Sequence, residues 1–473
     1  MTALKVASIG KPAEEDEDDL RPHGLSDDLL ALRFTHAHKG DLRYCAEHSA
    51  WYVYRAGRWR RDSTLHVFEL ARAICRQGQD EILAFQHLRP VVRERLIHAM
   101  RSAKTVAAVE RLARSDRAHA ITADQLDAED WLLNTPAGEV NLRTGEMGPH
   151  NAASYHTKST AIAPGDDGQA CPTWLRFLHR VTGGNDSMID YLQAVAGYAL
   201  AGVVSEHVLL FLWGSGANGK STFVNTLTGI MGDYATVAPM EVFIEQPGHA
   251  HPTELAMMAG ARLVTAQETD AGRRWALGRI KAMSGGDPIT ARFMRGDFFT
   301  YQPRFLLILS GNHRPHLGAI DEGIRRRLHL VPFDQHIPAA ERDPKLPDKL
   351  REEWPAILAW AVAGCLRWQR EGLCPPAAVT GATGEYLEGE DLIGNWLDAA
   401  TDADMHGFES SGALFADYAA WCTKAGERPM SMRRLISTLQ DRGLVKDRTN
   451  TAKGFRGRTL KPAYARPWNS AER

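Results

Sequence analysis

None of the six cysteines, Cys45, Cys75, Cys171, Cys365, Cys374 and Cys422, forms a C-x-x-C pair. That spacing excludes a cysteine zinc cluster and a redox dithiol, and a reducing cytoplasm is the expected setting. Long hydrophobic runs are also missing. The longest apolar stretches, 208–213 and 194–204, fall well short of the roughly 20 residues that span a bilayer. The amino terminus has no apolar core of a secretory signal, so no membrane partner is expected. Neither sign of charge dominates: Lys+Arg 56 stand against Asp+Glu 58, for a net charge of −2. That balance decides nothing about partners, because a mixed chain can still carry a local basic surface.

What is present is an ordinary globular composition, 44% hydrophobic and 24% charged over 473 residues, which predicts two to four domains. Residues 1–27 hold the acidic run 14–19 and are expected to be a disordered tail. From 28 to 165 an N-terminal α+β domain is predicted. Its Trp51-Tyr-Val-Tyr-Arg and Arg58-Trp-Arg-Arg segments read as a β-hairpin turning at Gly57, with Trp51, Tyr52, Tyr54 and Trp59 a small core rather than a base-stacking surface. Helical periodicity covers 65–114, and a second β-like piece covers 131–147.

Beyond the turn-rich 164–168, short apolar runs at 208–213, 262–266, 305–309 and 329–331 alternate with helical segments. This pattern predicts an α/β domain over 166–371 with buried parallel strands. Residues 372–384, with Pro375-Pro376, read as a linker. Over 385–473 the composition shifts: 385–409 is acidic, whereas 421–473 is basic, with 13 Lys/Arg against 4 Asp/Glu. An amphipathic helix at 432–442 followed by a basic hairpin at 444–460 predicts a winged-helix domain.

The most specific motif is Gly214-Ser215-Gly216-Ala217-Asn218-Gly219-Lys220-Ser221-Thr222, directly after an apolar strand and before a helical run. Glycines let backbone N–H groups turn inward around a phosphate, and the helix N-terminus adds partial positive charge. Lys220 is expected at the β/γ-phosphates of ATP, with the Ser221 hydroxyl on Mg²⁺. At the end of 262–266, Glu268 is the candidate general base and second metal site, preceded by the uncharged Gln267. Asn312, closing the strand 305–309, can orient a water or meet the γ-phosphate. Arg325-Arg326-Arg327 cannot all pair locally, so one is expected to reach a neighbouring subunit's nucleotide.

Between these strands, Lys281, Arg292 and Arg295 lie on a helix and a hairpin whose cations and aromatics suit single-stranded DNA. Phe293, Phe298 and Phe299 are read first as core residues and second as a stacking surface.

G-x-x-x-N-G-K-S-T, the lone Glu268, K-x-x-x-G-G-D-x-I-x-A-R, the Asn312 strand with Pro315, and D-x-G-I-x-R-R-L occur in this order. Together they resemble superfamily 3 helicases of the phage and plasmid primase-helicase type, related to poxvirus primase-helicases. Asp130-Trp-Leu-Leu, Asn141-Leu-Arg-Thr-Gly-Glu and Cys171-Pro-Thr-Trp-Leu extend the resemblance upstream.

The resemblance implies an AAA+-like P-loop core, a homo-hexameric ring with ATP between subunits, and single-stranded or forked DNA in its pore. It also implies a helicase of 3′→5′ polarity acting in phage, prophage or plasmid replication. Its roles map to Lys220 and Ser221 at phosphates and metal, Glu268 as catalytic acid/base, Asn312 as sensor, and Arg326 or Arg327 as the trans arginine. Lys281 and the Arg295 hairpin fall at its pore contacts. The 27 residues before residue 28 are too few for a primase fold, so primase activity is not expected in this chain and priming is expected to fall to a separate primase or polymerase. Two other readings fit the same motifs: a DNA-remodelling ATPase without unwinding, and an origin-binding initiator reading duplex through Arg433, Arg434, Arg448 and Arg456.

Overall fold

The computed structural model describes residues 25–86, 88–166, 168–245, 252–267, 274–294, 296–315, 317, 320–425, 429–449 and 452–462. The chain divides into two compact units, one comprising the described residues up to Asn141 with Glu146–Ala163, the other Leu142–Gly145 with the described residues from Pro164 onward. The acidic run 14–19 lies outside the described residues.

In the first unit, Ser26 caps α1 (Asp27–His38) by accepting from the Leu29 amide, and Leu25 is buried in the core, so ordered structure begins inside the segment expected to be a tail. β1 (Leu42–Cys45), β2 (Ala50–Arg55) and β3 (Arg58–Arg61) precede the helices α2 (His66–Ala84), α3 (Pro90–Met100) and α4 (Ala103–Ala113), which β4 (Ala120–Ile121) follows. The sheet order is β3-β2-β1-β4. Alternation sends Trp51 and Val53 towards α1, α2 and α4, and Tyr52 and Trp59 towards the opposite cluster with Cys45 and Ile121. Trp51 Nε1 donates to the buried Glu110 at 2.6 Å, and Arg114 pairs with the same carboxylate. The aromatic residues of the hairpin are thus core. β5 (Leu132–Thr135), β6 (Gly138–Asn141) and β7 (Met147–Gly148) form a three-stranded sheet in that order.

The second unit opens with α5 (Pro172–Val181) and α6 (Asp186–Leu200), then alternates β8 (Leu209–Trp213), α7 (Lys220–Met231), β9 (Ala235–Val237), α8 (Pro252–Ala256), β10 (Leu263–Gln267) and α9 (Leu277–Gly285). A hairpin, β11 (Ile289–Arg292) and β12 (Phe298–Tyr301), leads to β13 (Leu306–Gly311), the short α10 (Glu322–Arg325) and β14 (Leu328–Pro332). Five strands make a parallel sheet in the order β14-β8-β13-β10-β9. The near-continuous apolar sequences of β8, β10, β13 and β14 follow from burial on both faces. Trp174 on α5 stacks on Phe223 of α7 at 5.7 Å, so the lead-in helices brace the helix that follows β8.

α11 (Leu346–Glu352), α12 (Trp354–Glu371) and α13 (Ala377–Gly389) complete this layer. Residues 372–384 are therefore not a linker: much of the segment lies in α13. Val379, Thr383, Tyr386 and Leu387 are buried, and Thr383 Oγ1 accepts from the Leu330 amide of β14 at 2.9 Å. Its glycines and Pro375-Pro376 signalled a linker, but packing against β14 outweighs their local preference.

The remaining elements are α14 (Leu392–Ala400), β15 (Thr401–Ser410), α15 (Ser411–Lys424), α16 (Met432–Asp441), β16 (Val445–Arg448) and β17 (Lys453–Leu460), with sheet order β15-β17-β16. They enclose their own core, including Trp396, Leu414, Tyr418, Leu435 and Phe455. No helix among the described residues is long and apolar enough to cross a membrane.

One buried contact predicts a pH response. The Tyr191 hydroxyl lies 2.7 Å from Nδ1 of His329 on β14, and burial pushes the imidazole pKa down from 6.5 to about 4. The folded value lies below the unfolded one, so the unfolded chain binds the proton more readily between those limits. The contribution of His329 to stability is flat above about pH 6.5 and declines as pH falls towards 4. In thermal melts between pH 6.5 and 5, His329→Gln is expected to lose less stability on acidification than the wild type.

Candidate nucleotide site

Parallel strands present their carboxyl ends to one side, and connections that depart in opposite directions leave a crevice there. β8 has β14 on one side and β13 on the other, while the chain leaving it through α7 next enters the sheet at the far edge, β9. The loop between β8 and α7 therefore opens at this reversal, beside the end of β13. Register sets the level: Gln267 pairs with Ser310, Ser310 with Leu212, and Gly311 with Trp213.

Within the loop, Gly216 and Gly219 hold φ of +97° and +88°, and Ala217 is also left-handed at +50°. Asn218 is buried and donates from Nδ2 to the Phe333 carbonyl at 2.8 Å, fastening the loop to the chain leaving β14. The Lys220 ammonium is buried and donates to Gly214 O at 2.7 Å, Asn218 Oδ1 at 3.0 Å and Asn312 Oδ1 at 3.1 Å. All three acceptors are neutral. Among the described residues no carboxylate pairs with Lys220, and burial lowers its pKa. A cation held by dipoles alone in a partly dry site favours an incoming anion.

Ser221 stands exposed in the first turn of α7, with Thr222 half-buried behind it, while Ser215 and Ala217 are exposed on the loop. An anion at this end meets free N–H groups and the positive end of the helix. Gly219 has a further constraint: a Cβ there would lie 2.5 Å from Val181 Cγ1 and 2.9 Å from Phe177 Cε2. Gly219→Ala combines that clash with about 1–2 kcal/mol of left-handed strain. Nucleotide affinity, followed by fluorescence of a labelled analogue, is expected to fall at least about tenfold, since 1.4 kcal/mol is one decade.

The sequence-derived residues divide into groups. Gly214, Asn218, Lys220 and Asn312 are brought into direct contact, although Lys220 and Asn312 stand 92 residues apart. Glu268 and Arg295 lie outside the described residues. Among the described residues no group of three His, Cys, Asp or Glu could hold a metal ion, and the Ser221 hydroxyl stands exposed in the first turn of α7.

The three consecutive arginines have separate environments. Arg325 lies 3.6 Å from Asp391, which also pairs with Arg442 and caps α14. Arg327 donates to the Gly323 carbonyl at 2.9 Å. Arg326 is exposed, and its side chain has no partner among the described residues. Lys281 pairs with Asp321, the residue that caps α10, and so is tied to the arginine-bearing segment. The pairing and hydrogen bonds from Ile324 N and Gly323 N hold the Asp321 carboxyl below its ordinary pKa, against burial, which acts to raise it.

On the β11–β12 hairpin, Arg292 lies over the Phe298 ring at 4.9 Å. Phe293 and Phe298 are 55% and 61% exposed, so they are not core residues. Phe299 is half-buried and stacks on Phe293 at 5.3 Å. Among the described residues the two strands of the ribbon pair with each other and with no further strand, and Tyr301 at its base packs on the core. Arg314 was not foreseen: its guanidinium sits 4.0 Å from the Trp213 ring centroid, next to the loop. No local pattern links two residues so far apart in sequence.

Comparison with known proteins gives three findings. The family described as "D5 N terminal like" matches residues 31–183, and a family of unknown function, DUF5906, matches 212–327. A protein of Acanthamoeba polyphaga mimivirus provisionally named a helicase (L207/L206) is 26% identical over 298 residues, 58% of this chain and 31% of that protein. One of Invertebrate iridescent virus 3, provisionally named helicase 121R, is 26% identical over 154 residues, 31% of this chain and 16% of that protein. The chain thus spans less than a third of either relative's length. The apo C-terminal region of NrS-1 (305–718) covers 92% of this chain and all of its own, at 11% identity and a TM-score of 0.48.

Proposed function

We propose, from the premise that the chain is a primase-helicase-like protein of the phage and viral kind, that it is an ATP-driven DNA helicase acting in replication. The observation that carries this reading is the buried Lys220 ammonium, held by three neutral oxygens at the mouth of a parallel sheet. The order β14-β8-β13-β10-β9 supports a P-loop core of the AAA+ kind, since it sets β13 and Asn312 beside the loop.

In this mechanism the phosphates of ATP replace Gly214 O and Asn218 as partners of Lys220, while the N-terminus of α7 faces the same charge. Asn312, already in contact with the ammonium, positions the γ-phosphate or the attacking water. Ser221 would hold Mg²⁺, which when bound neutralises phosphate charge. Glu268 is proposed as the base that takes the proton from the water. Arg326, exposed and without a side-chain partner among the described residues, is the arginine donated to a neighbouring copy's nucleotide; Arg325 and Arg327 are occupied within their own chain. A homo-hexameric ring with 3′→5′ movement, DNA contacts from the β11–β12 hairpin and Lys281, and a separate priming protein belong to the same proposal.

An origin-binding role is the second reading. It is favoured by the helix–strand–helix–helix–hairpin order of α14 to β17 and its β15-β17-β16 sheet, which support a winged helix. In that arrangement α16 exposes Arg433, Arg434, Ser437 and Gln440. Strand release from a forked duplex separates the readings. The helicase requires ATP-dependent release that Lys220→Ala removes. Sequence-selective duplex binding with hydrolysis but no release would favour the initiator.

A further inference from the structure

In the first unit, Arg55 and Arg58 are paired directly across the β2–β3 hairpin, and Arg60 follows two residues on along the same face. Arg61 emerges beside them on the other face. Like charges directly opposite one another on a sheet cost stability unless something outside the pair compensates. Asp62, the adjacent carboxylate, spends both oxygens on the amides of Thr64, His66 and Val67 at the start of α2. Arg55 instead donates to His66 Nε2 at 2.8 Å, and Arg61 to the His48 carbonyl at 3.3 Å. Arg55, Arg60 and Arg61 are exposed, and none of the three has a carboxylate partner among the described residues.

Four other arginines of the unit are matched: Arg33 with Glu81 at 2.7 Å, Arg72 and Arg76 with Glu69 at 2.5 and 2.9 Å, and Arg114 with Glu110 at 2.7 Å. The hairpin also holds its shape. Ala56 and Gly57 both take left-handed φ, 49° and 74°, as a tight two-residue turn requires. Beneath it Trp59 is buried and anchored through Nε1 to the Ala152 carbonyl at 2.9 Å.

We infer that this hairpin is a docking surface for the sugar–phosphate backbone of DNA. Its hydrophobic aromatics, Trp51, Tyr52 and Trp59, are buried and closed to bases, so recognition falls to guanidinium–phosphate contacts and carries no sequence preference. The choice of DNA rests on the helicase reading; the surface does not depend on the nucleotide site.

The test is fluorescence anisotropy of the full chain, without nucleotide, on labelled single-stranded and duplex DNA of two unrelated sequences across a salt series. Arg55→Glu/Arg60→Glu/Arg61→Glu is expected to weaken binding at least about tenfold and to lower the salt slope by about 2, three contacts at roughly 0.7 each on a single strand. The two sequences should respond alike, and ATP hydrolysis without DNA should be unchanged. Arg72→Glu/Arg76→Glu/Arg101→Glu makes the same change in net charge elsewhere and should leave the slope near wild type. An unchanged slope in the hairpin variant on both DNA forms, or an equal fall in the control, overturns the inference. If charge reversal unfolds the unit in thermal melts, Arg→Gln at the same three positions carries the test with the same expected fall. Failure of strand release in the wild type, with these slopes as expected, would remove the helicase reading and leave the surface standing.

Discussion

Lys220→Ala is expected to cut ATP turnover by at least about 10²–10³, the scale seen when one preorganised charge-stabilising group is removed, and to abolish release of a strand from a forked duplex. The expectation follows from the site's balance of charge. The ammonium is buried among Gly214 O, Asn218 Oδ1 and Asn312 Oδ1, with no carboxylate beside it among the described residues. Its full charge is therefore available to phosphate. Removing it also frees Asn218, but the Asn218 bond to the Phe333 carbonyl remains and should keep the loop in place. Thermal stability should change little or rise, because the substitution takes an unpaired charge out of a desolvated position. A variant that melts near wild type yet hydrolyses nothing fits the assignment. One that hydrolyses ATP at the wild-type rate removes Lys220 from the chemistry.

Arg326→Ala should be as severe, about 10³–10⁵ in turnover where such arginines act in trans, and for a different reason. Arg325 is held by Asp391 and Arg327 by Gly323, while Arg326 is exposed and available to another copy. Mixing separates this from a local defect. Equimolar Lys220→Ala and Arg326→Ala proteins, each nearly inactive, should regain measurable hydrolysis. Some seams then combine an intact Lys220 from one copy with an intact Arg326 from its neighbour. Arg325→Ala, by contrast, should mainly lower stability, since it removes one of the cations beside Asp391. Wild-type turnover should rise more steeply than linearly with protein concentration as copies assemble. If mixing restores nothing and specific activity is independent of concentration, the seam is wrong.

Short-range features were readable from the chain. The turn at Ala56-Gly57 follows from glycine in a left-handed position between alternating residues. The buried strands β8, β10, β13 and β14 follow from short, mainly apolar runs, and the loop before α7 from its glycines and Lys220. Each is decided within a few residues by backbone sterics or by which side chains avoid water. β9 was not readable: it is three residues long, and its Val237 is 60% exposed, so neither length nor burial marked it.

By itself the sequence determined the candidate phosphate loop, the alternation of strands and helices, and the residue types on which an ATP-driven reading rests. Only the tertiary structure decided which of these meet: Lys220 with Asn312, Arg325 with Asp391, α13 with β14, and an uncovered hairpin carrying Phe293 and Phe298 into solvent. The physical reason is one of range. Dihedral preference and hydrophobic periodicity act between neighbours along the chain, whereas the pairing of charges and the cover over an apolar face depend on strand order. That order emerges only when the whole sheet packs.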